Sequence, residues 1–210
     1  MTVQVVDNKE EVPLKHYTEE FAQIDPAKRA ADLGIGFDGR SFSLSMYGTE
    51  YKVSWPEGEV SSDNANALAL TVKHAKILLL RYIISGKNIP FGGSYKAFRE
   101  LPWGEVYVKP FDGRCIKRLA YKFSSDPEKY KKAALLLGGR PLDHSDAGFE
   151  FDFTGEYTFR FYCWAADDEF PPNSQIAFSD NFAIGFSAED DVVVAELMIT
   201  AISSAMKSVK

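Results

Sequence analysis

Between Phe149 and Trp164 the chain alternates apolar and polar residues. Phe149, Phe151 and Phe153 are separated by Glu150 and Asp152; after Gly155, Tyr157, Phe159, Phe161 and Cys163 are separated by Thr158, Arg160 and Tyr162. A period of two puts every ring on one face of a strand, whereas a helix would scatter them around its circumference. Two such runs joined at a glycine read as an antiparallel hairpin with one dry aromatic face. That face cannot stay wet, so helices must pack on it.

The same logic places the other elements. Phe42, Leu44 and Met46 alternate with Ser41, Ser43 and Ser45; Gly48-Thr49 turns the chain; Tyr51, Val53 and Trp55 alternate again. This is a second hairpin. Ser174–Ser179 reads as a further strand and Glu105–Val108 as a short one. Helices are expected at residues 15–23 and 26–33, the second with Asp25 as cap, Pro26 in its first turn and Gly34 as its stop. A long, mostly apolar helix is predicted from Asp63 or Asn64 to Ser85, a short one around Tyr95–Glu100, one opened by Pro110 and ending near Phe123, and one from Asp126-Pro127 to Gly138-Gly139. Ser187 caps a closing amphipathic helix, 189–207, with Glu189, Asp190 and Asp191 at the positive end of its dipole. No internal repeat and no linker interrupts the chain. The expectation is a single α+β domain over residues 1–210: an antiparallel sheet of about five or six strands packed by a long central helix and a C-terminal helix.

Composition removes several function classes. The net charge is −6, which speaks against binding nucleic acid through its phosphates. The basic stretch Arg114–Arg118 with Lys122 is interleaved with apolar residues at helical spacing and reads as the wet face of a helix. Cys115 and Cys163 stand far apart with no CxxC and no Cys/His cluster, so no intrinsic iron–sulfur or structural zinc site is expected. The most apolar segment, Ala65–Ile84, carries Lys73, His74, Lys76 and Arg81 and makes a poor membrane span. The first residues lack the basic and apolar regions of a secretory signal, and a cytoplasmic location with reduced thiols is expected. No glycine-rich nucleotide fingerprint, GxSxG or HExxH occurs.

Candidate sites lie mainly in loops. The first is Trp164-Ala-Ala-Asp167-Asp168-Glu169-Phe170-Pro171-Pro172-Asn173, whose three adjacent carboxylates repel one another and whose prolines stiffen its exit. Hard divalent cations favour such oxygens. Side chains alternate on extended backbone, so Asp167 and Glu169 can converge while Asp168 points away. The other readings are a turn whose carboxylates cap backbone amides, and a contact for a basic partner. Second, His144 among Asp143, Ser145 and Asp146 is either a base or metal ligand, or part of a solvated turn. Third, Asp112-Gly113-Arg114-Cys115 is either a helix start with an activated thiol or an anion site, or a packed, inert cysteine. Cys163 reads as core. Gly92-Gly93-Ser94 can offer amides to an anion, and Gly138-Gly139 ends a helix.

Two segments are specific enough to carry a resemblance: Pro102-Trp-Gly-Glu-Val-Tyr-Val-Lys-Pro-Phe-Asp-Gly-Arg-Cys-Ile-Lys-Arg-Leu119, and the Asp167-Asp-Glu-Phe-Pro-Pro172 loop. They resemble the domain-of-unknown-function 3786 family of anaerobe bacterial and archaeal proteins, most strongly over residues 90–200. The resemblance implies a role in anaerobic metabolism and, by association, an iron–sulfur or corrinoid protein as partner; it implies no catalytic residues. The leading expectation is therefore a cytoplasmic ligand-binding or accessory domain. Its site would be Asp167, Asp168 and Glu169, flanked by Trp164, Phe170, Trp103 and Arg114. One alternative is a metal-assisted hydrolase holding a divalent cation with Asp167, Glu169 and His144. The other is a protein-interaction subunit without a pocket.

Overall fold

The computed structural model describes residues 10–209; residues 1–9, where no secretory signal is expected, lie outside them. Contacts divide the chain into two compact units, the first ending at Asn88 and the second running Ile89–Lys210. No described helix is long and apolar enough to cross a membrane.

The first unit runs α1 (Glu11–Phe21), α2 (Pro26–Leu33), β1 (Gly36–Phe37), β2 (Ser41–Met46), β3 (Thr49–Ser54), β4 (Val60–Ser61), α3 (Leu68–Thr71) and α4 (Lys73–Ser85). Its strands form an antiparallel meander in chain order. Asp25 accepts the Lys28 N–H at 3.1 Å, and Gly34 ends α2 at φ 66°. Phe42, Leu44 and Met46 are buried, as their alternation requires. The long helix expected from residue 63 or 64 is shorter and interrupted. Asn64 uses its side chain on the Asn66 amide at 3.0 Å, which closes a turn instead of capping a helix, and Val72 is extended between α3 and α4. Arg29 then ties α2 to the end of α4, donating to the carbonyls of Ile83 and Gly86 at 2.8 Å each.

The second unit contains β5 (Tyr95–Ala97), α5 (Gly104–Phe111), α6 (Lys117–Ser125), α7 (Pro127–Leu136), β6 (Arg140–Leu142), β7 (Ala147–Thr154), β8 (Tyr157–Trp164), β9 (Asn173–Ser179), α8 (Phe182–Gly185) and α9 (Ala188–Ser208). The sheet order is β5-β9-β8-β7-β6, antiparallel throughout. The predicted aromatic hairpin is β7–β8. Phe149, Phe151, Phe153, Tyr157, Phe159 and Phe161 are each at most 4% exposed. With Phe178 and Phe182 they form a continuous ring cluster under α6 and α7, and α9 packs on α7. Each buried ring supplies about 1.5–3 kcal/mol of transfer free energy before the entropy of ordering is set against it.

The α+β class is as expected, but the strands are shared between two sheets, of four and five, and α4 and α9 serve different units. Local pairing explains this: the β1–β4 meander closes through short turns, without a partner from the second unit. Three further expectations change. Residues 105–108 are helix, not strand, and Pro110 lies inside α5 instead of opening a helix. Tyr95–Glu100 is a strand followed by a 3-10 turn, because Glu100 folds back to accept the Ala97 N–H at 2.6 Å. The closing helix is as read: Ser187 and Asp190 cap each other's backbone, with Ser187 Oγ donating to Asp190 at 2.6 Å. Asp191, expected with Glu189 and Asp190 to favour the positive end of the helix dipole, turns inward; it is 1% exposed and its Oδ1 meets no partner.

On the outer face of the five-stranded sheet, Glu150 accepts from Tyr95 Oη at 2.8 Å, Arg140 at 2.9 Å and Arg160 at 2.7 Å. Arg160 crosses β9 above the small Ala177 and lies 3.5 Å from the Tyr95 ring centroid. Burial pushes the Glu150 carboxyl up, but the bonds from Arg140, Tyr95 and Arg160 outweigh it and hold the group below its ordinary value.

Candidate functional site

The feature that shapes the second unit is a strand that ends early. β5 pairs with β9 only from Tyr95↔Ser179 to Ala97↔Ala177, then leaves into the 3-10 turn Phe98–Glu100. β9 continues to Asn173. Asp180 N–H donates to Ser94 O at 3.0 Å, which fixes the alternation along β9. The backbone groups of Ile176 and Ser174 therefore point to the side that β5 has vacated. Phe98, the next residue of β5's path, gives its carbonyl to Leu101 N–H at 3.1 Å instead. The Ser174 N–H is met by its own neighbour, Asn173 Oδ1, at 2.8 Å.

Along this edge runs a groove of about 600 Å³. Ala97, Phe98 and Arg99 close one end, and Val108, Phe111 and Asp112 of α5 and the turn after it form a wall. Trp164 and Asn173–Ile176 form the opposite wall. The Phe98 and Phe111 rings stack at 4.0 Å, and both lean on Phe178, which joins the groove to the core. Two backbone irregularities support it. Pro110 has no N–H to return to the preceding turn, and the helical run widens into a π turn at Asp112–Ile116 directly after it. The Ile116 carbonyl in that turn accepts from Ser174 Oγ at 2.7 Å, which pins α5 and α6 to β9. At the other end of α5, Trp103 sits at φ 65° and Gly104 fits against Phe98, whose carbonyl oxygen would lie 1.9 Å from an added Cβ.

The residues singled out from sequence are distributed as follows. Trp164 lines the groove, stacked on Tyr162 at 6.4 Å. The acidic loop joins Trp164 to Asn173, so both of its ends are groove wall. Within it, Asp167 Oδ1 accepts the amides of Glu169 and Phe170 at 2.9 and 2.7 Å, and Asp167 N–H donates to Phe170 O at 3.0 Å. Asp167 thus caps its own turn. Asp168, Glu169 and Phe170 are exposed. Trp103 is 74% exposed and, with Val106, Tyr107 and Pro110, occupies the face of α5 opposite Val108 and Asp112. Arg114 is paired with Glu196 and holds the π turn to α9. His144 is exposed at φ 76°. Its neighbour Asp146 makes the link to the loop, accepting Ala165 N–H at 2.7 Å. Among the described residues, no three His, Cys, Asp or Glu side chains gather as a metal-holding group.

Cys115 is not at a helix start, because α5, the π turn and α6 run on through it. It is fully buried, its Sγ is 3.6 Å from Val192 O, and burial, then Glu196, push the thiol up to about 12 despite Arg114 and Arg118. Cys163 is likewise pushed up to about 12 by burial, against Tyr130. The amides of Gly92 and Ser94 are taken by the Asp180 carboxylate, at 2.9 and 3.3 Å, so that nest already holds an anion. Sequence reading missed Phe98, Arg99, Phe111, Gln175 and Ile176 as groove residues. The spacing of Val108, Phe111, Asp112 and Cys115 was the available signal, since it follows one helix face.

A comparison with curated proteins and one with solved structures each gave no match. Residues 25–201 match the family described as domain of unknown function (DUF3786). The match spans most of the chain, including every residue of the groove, and the chain belongs to that family.

Proposed function

We propose that the second unit is a ligand-binding module whose site is the groove along β9. The observation that carries this reading is a convergence. The Pro102–Leu119 segment and the Trp164–Pro172 loop are distant in sequence, yet both reach the same concave surface, the first through Val108, Phe111, Asp112 and Ile116 and the second through Trp164. The surface combines stacked rings with charges that enter no ion pair among the described residues, Arg99 and Asp112. An apolar cleft with a few convergent polar groups is the ordinary form of a binding site. Binding is favoured over metal-assisted hydrolysis because Asp167, the first carboxylate such a mechanism needs, is already held by two amides. The accessory role in anaerobic metabolism, a cytoplasmic location and an iron–sulfur or corrinoid protein as partner belong to the same proposal; their support is the family resemblance and two buried free thiols.

The test is to titrate the isotope-labelled full chain with mixtures of aromatic and cationic fragments and follow its amide resonances. Shifts gathered on Arg99, Asp112 and Gln175, and lost when Val108→Trp fills the groove, are expected. Shifts scattered over the surface, or unchanged in that variant, would refute the site.

A further inference from the structure

We infer that the occupant of the groove is an extended, basic peptide segment that adds to the sheet as a strand beside β9. The inference rests on the binding reading above and names its ligand class. Three observations carry it. First, the vacated edge presents main-chain groups of Ile176 and Ser174, in the position where β5 would have continued. The Ser174 N–H is covered only by the exposed side chain of Asn173, a partner that a competing carbonyl can displace. Open edges of this kind are templates for another strand, and natural sheets otherwise block them. Second, the free stretch Asn173–Ile176 is about 14 Å long at strand rise, which suits about four residues of extended chain in the volume available. Third, the charges are lopsided. Arg99 stands at the β5 end, while Asp112 lines the wall and Asp168 and Glu169 stand on the loop at the other end; none of the four is neutralised by an ion pair among the described residues. A strand that continues the direction of β5 would meet Arg99 first and the acidic loop last. Its basic side chains therefore belong toward its C-terminal end.

The experiment pans the purified full chain against phage-displayed random linear peptides and synthesises those enriched. Enriched peptides are expected to carry Lys or Arg among alternating apolar residues and to shift the amides of Ser174 and Ile176. Methylating alternate backbone nitrogens of the peptide should weaken binding by about tenfold or more, because each lost ladder bond is a lost contact. Reversing two exposed rim charges in Asp168→Lys with Glu169→Lys should weaken it by about tenfold, with the loss shrinking in salt. Both positions are exposed, so this variant folds even if Val108→Trp does not. Peptides indifferent to methylation and to the reversed rim overturn the inference. So does a chain that yields no groove-binding peptide while small fragments still shift Arg99 and Gln175; the binding module then stands with a different ligand. If neither peptide nor fragment reaches the groove, both readings fall. A concentration-dependent dimer that shifts Ser174 and Ile176 assigns the edge to a second copy of the chain and likewise overturns the peptide.

Discussion

Replacing Asp167 by Ala tests whether the acidic loop is organised by one carboxylate or by three. The Asp167 side chain accepts amides two and three residues ahead, at 2.9 and 2.7 Å, which is the geometry of a helix N-cap. Losing such a cap costs about 1 kcal/mol, within a range of about 0.5–2. The loss is local, so its clearest readout is hydrogen exchange: the Glu169 and Phe170 amides should exchange about fivefold faster, the factor that ~1 kcal/mol sets. Asp167→Asn keeps an acceptor and should fall between the two. Asp168→Ala and Glu169→Ala should leave the same amides unchanged, since neither side chain supports the turn. Trp164 and Asn173 hold the two ends of the loop, so in Asp167→Ala any groove ligand should also bind less tightly. Equal effects from all three alanine variants would refute the reasoning. Protection of these amides by added Mg²⁺ or Ca²⁺ would do the same, because the carboxylates would then be acting together on a cation.

Two buried or half-buried acids should give pH effects of opposite sign. Asp191 is held well above its usual range, first by burial and then by Asp190, so the folded chain keeps a proton that the unfolded chain gives up near 3.8. Stability is lost as pH rises from there toward the folded value, and Asp191→Asn should gain most over the parent at neutral pH in melts followed against pH. Glu150 is held below its ordinary 4.5, so its contribution is present above that value and disappears as pH falls through the folded one. Glu150→Gln should flatten the acid limb of the same curve. With both thiols pushed up to about 12, neither Cys115 nor Cys163 should react with a disulfide reagent in the native chain, and both should react in denaturant. Rapid labelling of the native chain would show that one is accessible.

Elements governed by local chemistry were legible. The aromatic hairpin follows from period two, α2 from Asp25, Pro26 and Gly34, and the start of α9 from Ser187. Errors arose where a side chain had two uses. Asn64 can cap a helix or close a turn, and Val72 prefers the extended backbone that splits α3 from α4. Glu105–Val108 alternates too briefly to exclude a helix, and Pro110 looks like a helix start because proline is common there. Inside α5 it is followed by the π turn, and that turn is tied by its Ile116 carbonyl to Ser174 of a distant strand. The division into two sheets is equally non-local, since pairing partners are chosen by register and packing.

The candidate site was half legible for a related reason. The acidic loop is conspicuous because its charges are adjacent in sequence, yet its first carboxylate is a structural cap. The groove beside it is made of residues with no conspicuous chemistry: a strand that stops at Ala97, a stacked pair of rings, and four residues of β9 left without a neighbour on the β5 side. Such a site is defined by something missing from the sheet, and a missing partner leaves no signature in either strand's own sequence. The alternation of Asn173–Ser179 says which side chains point inward, not which main-chain groups lack a ladder. What does link the loop to the groove is position. The loop connects the two strands whose ends form one wall, and the Pro102–Leu119 segment forms the other. Charges on a loop tip act on whatever enters between those walls. In the proposed binding reading, the acidic run is therefore the rim that selects an occupant, and the groove is the site that holds it.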